Sequence, residues 1–197
     1  MDLKWIGIGA IGIVLVVALF IIVLIFGSYN SMVAQNQDVS GKWSEVENQY
    51  QRQADLIPNL TSITSSAVSV ETKFVKDVID ARTKWLAANT QAEKDAAGFE
   101  MNQSMATFVS AVATAEAYPV LQANKQFTAL MDEVAGAQNR ITTARGRFIE
   151  AVQTYNTTIK QIPNNFFAGM FGFTEKDYYK AAAPLTTPAL GDGKLPQ

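Results

Sequence analysis

The sequence predicts an all-α protein, with an N-terminal transmembrane helix followed by a long antiparallel four-helix bundle. Three observations lead there. Trp5 to Phe26, WIGIGAIGIVLVVALFIIVLIF, is an apolar run unbroken by charge or proline. Beyond it, large apolar residues recur at spacings of three, four and seven, the signature of helices that bury one stripe. The remainder is polar and alanine-rich and is short of the β-branched runs that strands favour.

At about 1.5 Å of rise per residue the apolar run makes a helix of roughly 33 Å, matching a hydrocarbon core of about 30 Å. Lipid offers the backbone no hydrogen-bond partners, so such a segment must be helical. Trp5 and Tyr29 stand at its two ends like interfacial anchors, and Phe26 closes the run. A removable signal would have an apolar region of only about 7 to 15 residues, followed by small residues at the cut. Leu24, Ile25 and Phe26 occupy that place, so residues 1–27 are expected to remain as the anchor. Lys4 and the terminal amine precede the run, and Lys42 is the first positive charge after it. The excess of positive charge on the cytoplasmic side of membrane proteins therefore favours a bacterial inner-membrane protein with its amino terminus inside and its bundle outside the cytoplasm.

Composition removes whole classes of function. The chain has 197 residues and a net charge of −2, so about 170 residues beyond the anchor suit one domain. No basic stripe is present, which excludes a nucleic-acid footprint. Cysteine and histidine are both absent. That removes Cys/His metal sites, thiol and Ser-His nucleophiles, and the Glu-x-x-His pairs of a di-metal bundle. The expectation is a protein that is not an enzyme, with no catalytic residue, no metal and no cofactor.

The first bundle helix follows the anchor with only Gly27 and Ser28 between. Tyr29, Asn36, Trp43, Tyr50 and Ile57 share one heptad row, and Met32, Val39, Val46 and Gln53 the companion row. Asp55-Leu-Ile-Pro58 reads as the start of a second helix, Asp55 as N-cap and Pro58 in its first turn, with a kink in one longer helix as the alternative. Leu60, Ile63, Ala67, Val70, Phe74, Val78, Ala81 and Trp85 carry that second helix to about Ala88. Asn89 to Gln91 reads as a turn. A third helix shows Phe99, Met105, Phe108, Val109 and Val112 on its face and stops near Tyr118-Pro119. The fourth, from about Pro119 to Ile162, has the clearest pattern: Phe127, Val134, Ile141, Phe148, Tyr155 and Ile162 on one row, with Leu130, Ala137, Ala144 and Ala151 beside them. This is a coiled-coil-like seam.

After Pro163 comes FFAGMFGF, residues 166–173, then a tail that is extended or disordered. Four helices running up and down would return this aromatic stretch to the bilayer. It can plug the end of the bundle, lie in the membrane interface or meet a partner, and the residues proposed for partner or oligomer contact are Phe166, Phe167, Met170, Phe171 and Phe173. Arg82, Arg140, Arg145 and Arg147 read as surface residues or as partners of nearby carboxylates.

Taken together these pieces resemble the LemA family of bacterial membrane proteins. The residues that carry the resemblance are Tyr29-Asn30, Met32-Val33, Trp43, Arg52 and Asp55-Leu-Ile-Pro-Asn-Leu60, then Ala81-Arg82. They continue through Tyr118-Pro119, Leu121, Ala123, Phe127, Leu130, Asn139, Ile141, Ala144-Arg145 and Tyr155-Asn156. Pro163, Asn165, Ala168 and Phe171-Gly172-Phe173 close the series. The chain departs from the family pattern at Gln53, where a basic residue is usual, at Val70, where a histidine is common, and at Phe148, which stands for a tyrosine. The resemblance implies an anchored antiparallel bundle and supplies no reaction.

The organisation expected is therefore an anchor at 1–27, a LemA-like helical domain at 28–173 and a tail at 174–197. Its function is read as a membrane scaffold or interaction protein. The expected partners are the lipid bilayer, further copies of the chain as a homo-oligomer and a membrane protein; a sensory or signalling receptor is the alternative.

Overall fold

The computed structural model describes residues 3–65, 72–114 and 123–178. Among them are five helices and no strand: α1 Leu3–Ser65, α2 Thr72–Ala87, α3 Gln91–Thr114, α4 Lys125–Lys160 and α5 Asn164–Phe171. The all-α class and the apolar N-terminal helix are as the sequence predicts.

The described residues divide into two units, one holding 3–48 and 141–178, the other 49–65, 72–114 and 123–140. In the first, α1 and α4 run antiparallel: Tyr29 meets Phe171 and Phe173, Trp43 meets Phe148, and Glu45 meets Arg147, so partner numbers fall as α1 ascends. Trp43 and Phe148 pack edge to face with centroids 5.5 Å apart. The row Ile141, Phe148 and Tyr155 is buried, and the small residues Ala144 and Ala151 beside it leave room for close approach. On α1, Lys42 lies 2.8 Å from Glu45. The hydrogen bond and the lysine charge hold the Glu45 carboxyl below its ordinary range, while Lys42 is raised by the same contact.

The second unit gathers four helical segments, the C-terminal part of α1, α2, α3 and the N-terminal part of α4. Tyr50, Ile57, Leu60, Val78, Ala81, Trp85, Met101, Met105, Phe108, Phe127 and Val134 form its buried apolar core. Gln53 lies in that core as well, its amide nitrogen donating to Asn102 Oδ1 at 3.0 Å. The hairpin of α2 and α3 is held by the Lys84–Glu100 ion pair and by Lys94, whose ammonium sits 4.1 Å from the Trp85 ring centroid. The turn between them is a reciprocal cap. Thr90 Oγ1 accepts the Glu93 N–H at 3.2 Å, and Glu93 Oε2 accepts the N–H groups of Asn89 and Thr90, each at 3.0 Å.

Those backbone donors hold the Glu93 carboxyl below its ordinary range. A lowered folded pKa means the cap's contribution is complete above the ordinary glutamate value and disappears as pH falls through the lowered one. An NMR titration should place the Glu93 midpoint below that of a model glutamate, and Thr90→Val should move it upward.

Three expectations are corrected. Asp55 is no N-cap, for α1 continues through Pro58 to Ser65, and the Asp55 carboxylate accepts from Gln51 one turn earlier. Proline at 58 leaves the carbonyl of Ala54 without its helical donor, and Arg82 of α2 supplies one, Nε to O at 2.9 Å. Ile162 is not the last member of the α4 row. The helix ends at Lys160, and Ile162 lies in the following turn, 88% exposed. The start of α4 is also later than expected: Asn124 Oδ1 caps it, accepting the N–H groups of Gln126 and Phe127. Ala67, Val70, the Tyr118-Pro119 boundary, the Val112 side chain and the tail beyond 178 lie outside the described residues.

Candidate functional site: the aromatic end of the anchored unit

From Ile11 to Phe26 every large apolar side chain of α1 but the half-exposed Ile25 is exposed. This stretch is long and apolar enough to cross a membrane. Ser28 is the first buried side chain after it and Met32 the next, so protein packing starts where the apolar sheath stops. Trp5 lies near the start of α1, and Phe26 at the end of the sheath is exposed.

Tyr29, just beyond, is the meeting point of the terminal segment. The Phe171 and Phe173 rings stand edge-on to it, with centroids at 5.0 and 5.8 Å. Such pairs contribute about 0.5–1.5 kcal/mol each beyond the area they bury. Helix α5 ends at Gly172, whose φ of 75° lies in the left-handed region that glycine occupies without strain. The N–H groups of Gly172 and Phe173 both donate to Ala168 O, which reverses the chain.

The reversed segment is then fastened to α4. Tyr155 Oη donates to Thr174 O at 3.0 Å. Asn156, buried, uses its whole amide on one residue: Nδ2 donates to Lys176 O at 2.8 Å, and Oδ1 accepts the Lys176 N–H at 2.9 Å. Lys160 and Glu175 close the strap at 2.8 Å. Burial pushes the Tyr155 phenol above its ordinary pKa, so it remains a donor at neutral pH. Asn156→Leu should loosen the strap around Lys176, costing about 1–3 kcal/mol locally for two lost hydrogen bonds. Hydrogen exchange should show faster exchange in that strap while α2 and α3 are unchanged.

The five aromatic-segment residues thus have different fates. Phe171 and Phe173 are engaged with Tyr29, and Phe167 is half-buried beside Phe166, ring centroids 5.6 Å apart. Phe166 is 73% exposed and Met170 57%. One turn apart on α5, these two point away from the protein while Ala168 points in. The segment therefore covers the end of its own unit with one side and presents the other.

Elsewhere the described surface offers little chemistry. A cleft of about 460 Å³ in the second unit is lined by Asp77, Asp80, Thr83, Lys84, Glu100 and Ser104, where the Lys84 ammonium is already paired with Glu100. Among the described residues no group of three or more carboxylates is gathered as a metal site.

Magnetosome protein MamQ 1 and Magnetosome protein MamQ 2 of Paramagnetospirillum magneticum are each 26% identical to this chain over 210 residues, 93% of this chain and 77% of the relative. Magnetosome protein MamQ of Magnetospirillum gryphiswaldense is 25% identical over 195 residues, 85% of this chain and 72% of the relative. The LemA family model matches residues 42–189, well over half of the sequence, and the chain belongs to the LemA family.

Proposed function

We propose that this protein is a membrane-anchored, non-catalytic scaffold that associates with further copies of itself, with its anchor in the bacterial inner membrane and its helical domain outside the cytoplasm. The observation that carries the reading is the continuity of α1. One helix, Leu3–Ser65, bears the bare apolar sheath and then supplies buried side chains from Met32 to Leu60. A scaffold needs such a connection, because within the first unit it carries the helix of the anchor straight into the packed residues Met32, Val39 and Val46. The seam on α4 is filled by the chain itself, so association falls to apolar surfaces left uncovered, chiefly the sheath. The stretch of α1 long and apolar enough to cross a membrane supports a membrane setting. A receptor would draw on the same continuity and would add a ligand site between helices.

Two differently tagged copies expressed in one cell test the reading. Co-purification of both tags from one membrane extract is expected, and no exchange should occur when separately extracted copies are mixed. Recovery of each tag alone would contradict self-association.

A further inference from the structure

We infer that α5 is a second membrane contact, its outward face of Phe166 and Met170 dipping into the lipid interface beside the anchor. The inference rests on the anchor's spanning a bilayer and is independent of self-association. It starts from level. Tyr29 lies one turn past Phe26, about 4.5 Å along the axis at 1.5 Å per residue, and the Phe171 ring of α5 is 5.0 Å from it. The last turn of α5 therefore sits at the depth where the sheath gives way to protein. In this same unit the sheath already requires a bilayer, so the outward face of α5 continues a surface that lipid covers.

Its chemistry suits that depth. Residues 164–173 contain no charge. Ile162, Phe166 and Met170 are 88%, 73% and 57% exposed, the three most exposed large apolar side chains described outside the sheath. An interfacial helix buries its apolar face about 5–10 Å below the headgroup boundary, a depth side chains of this size reach. The Asn156 and Tyr155 bonds to the strap and the Gly172 reversal hold the helix in place before it meets lipid. A protein neighbour is the poorer occupant. Even at the roughly 150–250 Å² that a fully buried large aromatic covers, three such side chains give at most about 750 Å², short of the about 800 Å² per partner of a stable protein interface. Two contacts, anchor and α5, would fix the rotation of the unit about the anchor axis as well as its depth.

The chain lacks cysteine, so one introduced thiol takes a single spin label. Full-length Phe166→Cys, Met170→Cys and Gly146→Cys would be labelled in nanodiscs of zwitterionic phosphatidylcholine. Collisions of each label with oxygen and with a water-soluble nickel chelate would then be compared. Gly146 is exposed on α4 with open space around it and serves as the aqueous control. The expected result is oxygen exceeding nickel at 166 and 170, with the order reversed at 146. Nickel exceeding oxygen at 166 and 170 would place them in water and overturn the inference. Low collision with both reagents would mean cover by another protein chain, and would overturn it equally. In parallel, the Phe166→Ser/Met170→Ser double variant should keep the particle mass of the unsubstituted protein. A fall in mass would assign the face to a neighbouring copy and overturn lipid contact. A monomeric parent with oxygen-dominated labels would remove self-association while upholding lipid contact.

Discussion

Arg82→Met should destabilise the helical domain by about 1–3 kcal/mol, the cost of leaving a buried acceptor without its donor. Adding Pro58→Ala should recover most of the loss. Ala54 is fully buried, and its carbonyl is the one that a residue at 58 would ordinarily serve through its N–H. Proline has no N–H to give, and the 2.9 Å bond from Arg82 Nε takes its place. Alanine at 58 restores the helical donor, after which the guanidinium is dispensable. Pro58→Ala alone should be neutral or stabilising, because an interior proline costs a helix about 3 kcal/mol. Denaturation midpoints of the four chains in detergent, followed by circular dichroism, make a double-mutant cycle. A clear coupling energy between positions 58 and 82 is expected. Additive effects would mean that Arg82 is the surface residue its sequence context suggests.

Gly98→Leu should be as damaging, through shape instead of polarity. A Cβ at position 98 would lie 2.8–2.9 Å from three ring atoms of Tyr50, and that ring is fully buried. The glycine is a notch in α3 that receives the tyrosine face. Even Gly98→Ala, which gains about 1 kcal/mol of helix propensity, should lose stability, because overpacking a filled core costs about 1–3 kcal/mol. Leucine adds three more carbons in the same place and should lie at or beyond the upper end of that range. Tyr50→Leu combined with Gly98→Ala should recover part of the loss. Stabilisation by Gly98→Ala alone would show that the ring has room to move.

These two sites mark where sequence reasoning ended. The row Phe127, Val134, Ile141, Phe148 and Tyr155 was legible because burial of one helix stripe writes a period of seven into the residues themselves, and all five are buried. The anchor was legible for a similar reason, since lipid demands an unbroken apolar run. Pro58 reads as a helix start because its local cost is visible in sequence, while the donor that compensates it comes from a side chain 28 residues beyond the Ala54 carbonyl it serves. Ile162 fits the sevenfold count, but the helix ends at Lys160, two residues earlier, because the residue before Pro163 is disfavoured in the α region. The Thr90-x-x-Glu93 cap was present as a motif and would have located the start of α3.

At the candidate surface the aromatic cluster could be picked out, but not its division. Phe171 and Phe173 turn to Tyr29, while Phe166 and Met170 turn outward. That split depends on the Gly172 reversal and on the Asn156 amide gripping Lys176, twenty residues distant. Neither Asn156 nor the strap carries a periodic signal. An asparagine on a helix reads as surface until the backbone that returns to it is known.

If the anchored chain is a building block, the mass of the intact particle, extracted gently with α1 whole, will show it. A discrete multiple of the 21.5 kDa chain, reproducible across lipids and detergents, is expected. A single-chain particle in both detergent and nanodiscs would contradict it.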